Sequence, residues 1–420
     1  MNVFMNDLRD AVEAASPAAS RTRRIWMVIV LGALSAFGPL SLDMYLPGLP
    51  MLADDLHTST SVAQLSLTAC LLGLSLGQVV AGPLSDVRGR RLPLMAGLVV
   101  YAAASFFCAA APSIWALILL RFLQGAAGAA GIVISRAVAR DLYAGTELTR
   151  FFSLLMLVNG AAPILAPIAG GQLLRVTSWH GVFAVLGLIG VVMVLVVRFG
   201  LPETLPAERR SKGGVKNTLL TFGSLVRDRG FMGYALTQGL VTAAMFAYIA
   251  GSPFVLQNIY GVTPQMFSLV FAMNGLGIII AGQVTGRLAG RVSESRLLVT
   301  GLGLASLGGL SLLVVFIVGA GLPAVLPPLF LVVSSVGIVS TTCFSLAMQR
   351  QGGSAGSASA LLGLLSFIAG GIAAPMVGLG GSGTAAPMGI VIAAAEIGAL
   401  LCYAVLIHRR KAAALDRGSS

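Results

Sequence analysis

Long unbroken apolar runs, separated by short polar stretches rich in glycine and arginine, dominate the chain. A helix that crosses the ~30 Å hydrocarbon core of a bilayer needs about 20 apolar residues. Runs of that length predict twelve spans, at 25–47, 61–82, 93–111, 114–138, 148–174, 179–200, 230–256, 265–287, 296–320, 323–349, 354–380 and 385–407. The runs are continuous and do not alternate, which is the pattern of membrane helices and not of barrel strands. The longest polar connection, 201–229, opens LPETLPAERR and leaves six spans on either side. Two equal halves joined by a linker are the layout of a transporter built from a duplicated bundle. The expected organisation is therefore all-α and integral to the membrane. An N-terminal tail (1–24) precedes a first six-helix bundle (25–200). The linker (201–229), a second bundle (230–407) and a C-terminal tail (408–420) follow.

Composition strengthens this picture. Hydrophobic residues make up 57% of the 420 residues and charged residues 10%, against roughly 25% charged in a soluble domain. Residues 1–24 are polar, and the run after them is followed by further spans, so it reads as a first helix and not as a cleaved signal peptide. The net charge of +12 would suit nucleic acid, but its distribution explains it differently. With the N-terminus inside, cytoplasmic segments carry Arg21, Arg23 and Arg24; Arg88, Arg90 and Arg91; Arg140 and Arg150; Arg209, Arg210, Lys212 and Lys216. Arg287, Arg291, Arg296, Arg350, Arg409, Arg410 and Lys411 follow the same rule, and of 27 basic residues only Arg121 and Arg175 stand elsewhere. That is the positive-inside pattern. It places both termini in the cytoplasm and gives no evidence for a nucleic-acid partner.

Two acids lie inside apolar runs. Asp43 sits in FGPLSLDMYLPGLP, 37–50, late in the first span. A carboxylate at the centre of a membrane helix costs about 2.5–3.5 kcal/mol on insertion scales, so it marks a functional site by default. Arg121 lies about seven residues into the fourth span, roughly 10 Å deep at 1.5 Å per residue, which matches the depth of Asp43. Pairing of the two would lower the cost of burying either, either as proton-coupling machinery or as a structural ion pair. Glu396 stands in the middle of the last span, as a protonated or locally paired side chain or as a transport residue. Cys70, Cys108, Cys343 and Cys402 all fall in apolar runs without metal or redox spacing and read as small buried hydrophobes. His57, His180 and His408 lie at span ends with no metal spacing, no phosphate-binding glycine loop occurs, and no nucleophile–base pair is visible. No cofactor or metal is expected, and an enzyme reading is poor.

The strongest local signal is GPLSDVRGRRLPL, 82–94, between spans two and three. It fits G-x-L-x-D-x-x-G-R-[RK] through Gly82, Asp86, Gly89, Arg90 and Arg91. Its glycines would let the loop turn tightly, and Asp86 could pair within the loop or meet the positive N-terminus of another helix. A weaker echo, GRLAGR at 286–291, joins spans eight and nine, with Gly290 where the first copy has Asp86. In span five, NGAAPILAPIAGGQLL (159–174) approximates G-x-x-x-G-P-x-x-G-G: Pro167, Gly170 and Gly171 are present, and Ala162 and Ala166 replace two glycines. Small residues allow close helix approach, and proline loosens the backbone ladder.

On these motifs the chain resembles the major facilitator superfamily, and within it the twelve-span drug:proton antiporters. SLDMYLPGLP in span one, APIAGG in span five and AGSPFVLQNIYG (250–261) in span seven make it similar to the Bcr/CflA type of multidrug-resistance exporter. The resemblance covers 25–407. It implies a fold in which spans one and four line a central cavity and span twelve is peripheral. It implies that Arg121, Gln124 and Gly125 form the R-x-x-Q-G pattern, with Asp43 and Arg121 as the proton-coupling pair. It also implies that the Asp86 loop latches onto the eleventh span, which begins near Ser354, and lets go when the transporter faces inward.

The apolar cavity would be lined by Tyr45, Gln124, Met245, Tyr248 and Phe254, with Asn159, Gln238 and Asn274 as further candidates. Helix packing is the alternative for each. The implied activity is export of drugs or toxic small molecules in exchange for protons, by a monomer in the bacterial inner membrane. A carrier of a physiological solute such as a sugar, amino acid or siderophore is the alternative on the same scaffold. A membrane enzyme or sensor is the alternative from another class.

Overall fold

The computed structural model describes residues 17–143, 145–210, 222–349, 355–381 and 383–408. Among them almost every residue is helical, and the one β contact is an isolated bridge, Ala289 to Val292. Lys212, Lys216, Arg350, Ser354, Arg409, Arg410 and Lys411, which carried part of the charge argument and the start of the eleventh span, lie outside the described residues.

The first span departs most from the expected boundaries. It is one path from Ile25 to Asp55, broken into α1 (Pro17–Ser35), α2 (Phe37–Asp43), a 3-10 turn Leu46–Gly48 and α3 (Leu49–Asp55). The break has a covalent cause. Pro47 has no N–H to donate to the carbonyl of Asp43, four residues back, so α2 ends at Asp43. Pro47 and Pro50 then occupy the first turns of the next two segments, where a missing N–H is tolerated. Asp43 is thus the last residue of a helix part-way along the path, 12 residues short of its end at Asp55.

Spans two to twelve are α4 (Thr60–Arg88), α5 (Arg91–Ala109), α6 (Ile114–Leu142), α7 (Gly145–Leu173), α8 (Trp179–Gly200), α9 (Arg229–Phe254), α10 (Pro264–Leu288), α11 (Glu294–Val318), α12 (Leu322–Met348), α13 (Ala355–Val377) and α14 (Ala386–Tyr403). Ser59, Ser113 and Thr263 cap α4, α6 and α10 through their side-chain oxygens, and Asp228 caps α9. α9 and α14 close in single π-turns, Val255–Ile259 and Ala404–His408. α4 runs further than expected and takes Gly82, Pro83 and Asp86 into the helix. The tight turn therefore falls to Gly89 alone, at φ +88°, a conformation that L side chains avoid.

Within each bundle, glycines bring backbones together. A side chain at Gly125 of α6 would strike the carbonyl of Cys70 on α4, and one at Gly337 of α12 the carbonyl of Ile278 on α10. Between the bundles the principal pairs are α4 with α13 and α7 with α10, that is, spans two and eleven, five and eight. Among the described residues, side-chain-to-backbone hydrogen bonds from six donors cross this boundary. Ser61 donates to Pro375 (2.9 Å), Gln64 to Ala250 (2.9 Å) and Thr68 to Gly371 (3.0 Å). Gln257 donates to Pro47 (3.1 Å), Gln265 to Gly171 (2.8 Å) and Ser268 to Pro167 (2.8 Å). All six lie toward the face with few arginines. At the arginine-rich face, the bonds of Arg90 to Asp141 and of Ser345 to Glu294 each stay within one bundle.

Candidate functional site

The centre of the first bundle is a chain of buried polar groups around Arg121, whose side chain is 0% exposed. Its guanidinium lies over the ring of Tyr45, 4.4 Å from the centroid, and 5.4 Å from that of Phe183. It donates to Gln124 Oε1 at 2.5 Å. Gln124 Nε2 donates to Ser105 Oγ (2.7 Å), whose hydroxyl donates to the Tyr101 carbonyl (2.7 Å). The Tyr101 hydroxyl meets Ser41 Oγ on α2 at 2.8 Å, and that of Tyr45 meets Ser66 Oγ on α4 at 3.2 Å. Desolvated cation–π contacts of this kind contribute about 2 kcal/mol, and they hold a charge where water is excluded. Nε and one terminal nitrogen of Arg121 have no hydrogen-bond partner.

Asp43 is 6% exposed. It lies within electrostatic reach of Arg121 and Cys70 in its own bundle and of Tyr248 in the other. Asp43 and Arg121 do not touch as the expected ion pair in this arrangement, although the Arg121 charge still acts on Asp43. Arg121 turns to Gln124 and the two rings instead. Across the bundle boundary, the Tyr248 hydroxyl accepts from Asn274 Nδ2 at 3.0 Å, and its ring stacks on Phe271 at 5.5 Å. The carboxylate therefore sits where the first bundle's cation and the second bundle's tyrosine converge.

The cavity candidates divide into two groups. Tyr45 and Gln124 are wholly enclosed, and their contacts are with Arg121 and its supports. Met245 is half-buried, Tyr248 and Phe254 are buried, and Asn159 bonds the Leu155 carbonyl of its own helix. Gln238 keeps a buried, unpartnered Oε1. Of the two glycines of α7, Gly171 lies at the joint between bundles and Gly170 within the first bundle. Gly170 packs on the carbonyl of Met44 so closely that no Cβ fits, and Gly171 faces Ser268 of α10. Ser268 in turn bonds the Pro167 carbonyl.

At the arginine-rich face, Gly82, Asp86, Gly89, Arg90 and Arg91 come together with partners that the motif did not reveal. Arg90 pairs with Asp86, donates to Asp141 Oδ2 of α6 at 2.8 Å and to Ser85 Oγ at 2.9 Å. Glu203, in the linker, accepts from the backbone N–H of Arg90 (2.8 Å), Arg91 (3.1 Å) and Leu205 (3.0 Å). Partial burial opposes its ionised form. These N–H groups, with the Arg210 charge, outweigh that effect and hold the carboxyl below its ordinary 4.5. The Arg91 side chain donates to the Arg198 carbonyl. Asp86 is thus engaged inside its own loop, the first of the two arrangements expected for it.

Glu396 is 0% exposed, and neither carboxyl oxygen has a hydrogen-bond partner, which removes local pairing as its explanation. Of the four thiols, Cys70, Cys108 and Cys343 are buried and Cys402 is half-buried. Sequence reasoning missed Glu203, Asp141 and the six cross-bundle donors. One signal for the donors was legible: Ser61, Gln64 and Thr68 recur at i, i+3 and i+7, a polar stripe on one face of a membrane helix.

The family model for the Major Facilitator Superfamily matches residues 22–375. An uncharacterized MFS-type transporter of Bacillus subtilis (strain 168), YdgK, is 45% identical over 389 residues, 92% of this chain and 96% of that protein. A bicyclomycin resistance protein homolog of Haemophilus influenzae is 30% identical over 382 residues, 91% of this chain and 96% of that protein. Among solved structures, a variant of the nucleoside transporter NupG superposes with a TM-score of 0.73 at 13% identity, over 91% of this chain and 100% of that one.

Proposed function

The chain belongs to the Major Facilitator Superfamily, and on that premise we propose that it is a proton-coupled antiporter exporting drugs or toxic small molecules by alternating access. It works as a monomer in a bacterial inner membrane, with the arginine-rich face in the cytoplasm. The joined arginine-poor face then makes the described arrangement an inward-facing one.

The observation that carries this reading is Asp43. A buried carboxylate that ends a helix part-way along a membrane-spanning path and feels the charge of the buried Arg121 has little use in an uncoupled carrier, because its burial is costly. It has a clear use as a proton site, since its charge can be exchanged at the boundary that opens alternately to each side. Arg121 supplies a fixed counter-charge to the ionised form. Proton binding from outside and substrate binding from inside then exclude each other, so one is released as the other is taken up. The drug-exporter assignment is supported by the small-residue pattern of α7, which puts Gly171 at the joint, and by a relative named for bicyclomycin resistance.

The test is transport in liposomes with an imposed proton gradient, across several chemically unrelated antibiotics. Wild-type protein accumulates at least one of them uphill, and Asp43→Asn, correctly inserted, falls to the level of empty liposomes. Uphill transport by the Asn variant removes Asp43 as the coupling site. Movement of a nutrient, and of no drug in the panel, removes the exporter assignment.

A further inference from the structure

The linker between the bundles begins as a docked piece of structure. Leu201 and Leu205 are buried, and between them Glu203 reaches under the α4–α5 loop. Its two oxygens accept the N–H groups of Arg90 and Arg91, which are the first free donors of α5. A helix N-terminus has such donors to offer, and a carboxylate is the group that best satisfies them. Here the capping side chain comes from more than a hundred residues away. Thr204, next to it, donates to Asp141 Oδ2 (3.1 Å), the same oxygen that accepts from Arg90 Nε.

Gly89 is the reason that Glu203 fits. A Cβ at this position would stand 2.5 Å from Glu203 Oε2 and 2.9 Å from Arg210 Nη2. Together with its φ of +88°, this makes the second glycine of the loop motif a seat for the linker's carboxylate. With the backbone of residues 89–91 fixed, the Arg90 side chain is aimed between Asp86 and Asp141, and Asp86 is occupied within its own bundle.

We propose that Glu203 is a positioning residue of the arginine-rich gate: by capping α5 through the space left at Gly89, it holds the loop closed on the first bundle and so favours the state in which this face is open. The gate role rests on the alternating-access reading above; the cap itself does not. Loss of the carboxylate frees the loop, and the population moves toward the state in which the arginine-rich face is closed.

The experiment uses the full-length protein in lipid and needs no substrate, so its result is independent of whether a drug is transported. Hydrogen exchange at the amides of Arg90 and Arg91 is measured alongside spin-label distances between the arginine-rich ends of α4 and α13. In Glu203→Gln, exchange at these amides rises by roughly tenfold to a hundredfold, the factor for losing a charge-assisted hydrogen bond. The short-distance population between α4 and α13 also grows. Glu203→Asp restores part of both effects. Gly89→Ala raises exchange as well, both by displacing the carboxylate and by straining the loop at φ +88°. Unchanged exchange in Glu203→Gln overturns the cap. Raised exchange with unchanged distances overturns the gate role and leaves a local staple. If Glu203→Gln does not fold, Glu203→Asp carries the same two readings.

Discussion

The two ends of the molecule are held by opposite chemistry. At the arginine-poor end, six neutral side chains donate to backbone carbonyls of the other bundle. At the arginine-rich end, charged groups (Asp86, Arg90, Asp141, Glu203) close on one another within a single bundle. The difference follows from what each end must do. A neutral donor resting on a carbonyl can be parted from it and rehydrated, whereas an ion pair parted in a low-dielectric interior leaves an uncompensated charge. Charges are kept where the loop meets water and can be screened. The joint between bundles is neutral and made of close backbone approaches.

The largest break in this comparison is expected at Gly378. A Cβ there would stand 2.5 Å from the backbone of Ser61 on α4, and backbone does not move aside as a flexible side chain does. Gly378→Val forces the bundles apart at the arginine-poor face, at a cost of about 1–3 kcal/mol or more for overpacking. Labelling of a cysteine introduced at Ser61 should rise strongly while the protein remains inserted. Unchanged labelling would mean that this face is not the closed one.

Gln64→Leu comes next. It removes a fully buried donor that bonds the Ala250 carbonyl across the bundles, at about 0.5–1.5 kcal/mol, enough to move a two-state balance several-fold. The same labelling assay reads it, with a smaller response than Gly378→Val. Asp86→Asn sharpens the contrast from the other side. Asp86 is half-exposed in its pairing with Arg90, and such pairs contribute about 0–1 kcal/mol. The thermal midpoint of the detergent-solubilised protein should hardly change.

Two predictions are of near-zero effect. The Glu203 carboxyl is held below 4.5, so its cap is complete above that pH and is lost only as pH falls through the lowered value. Exchange protection at Arg90 and Arg91 should stay flat between about pH 5 and 8. A slope in that window would place another titrating group beneath the loop. Glu396→Gln, which replaces an unpartnered carboxyl by a near-isosteric neutral group, should change stability by less than about 1 kcal/mol and leave transport within twofold. A large transport defect would put Glu396 on the proton path.

Much of the fold was legible because a bilayer imposes so strong a constraint. Continuous apolar runs of span length must be helices, and the longest polar connection splits them six and six. The motif at 82–94 was equally visible, as was the anomaly of Asp43. Its setting was misjudged in one respect. Proline chemistry at Pro47 ends α2 at Asp43, and the span continues to Asp55, so the carboxylate lies deeper than a boundary at 47 implies. The boundary of α4 erred in the same direction: a span expected to end at 82 runs on to Arg88, because only Gly89 of this loop takes a positive φ.

By itself the sequence determined the membrane class, the number of helices, the division into halves and the residue types that carry charge into the apolar interior, since all of these follow from local hydropathy and spacing. Only the tertiary structure decided who meets whom. Arg121 faces the rings of Tyr45 and Phe183; Glu203 seats on Gly89; Gln64 reaches Ala250. These contacts join positions tens to hundreds of residues apart, set by how helices cross and which glycines let backbones touch, and no periodicity along the chain encodes such a pairing.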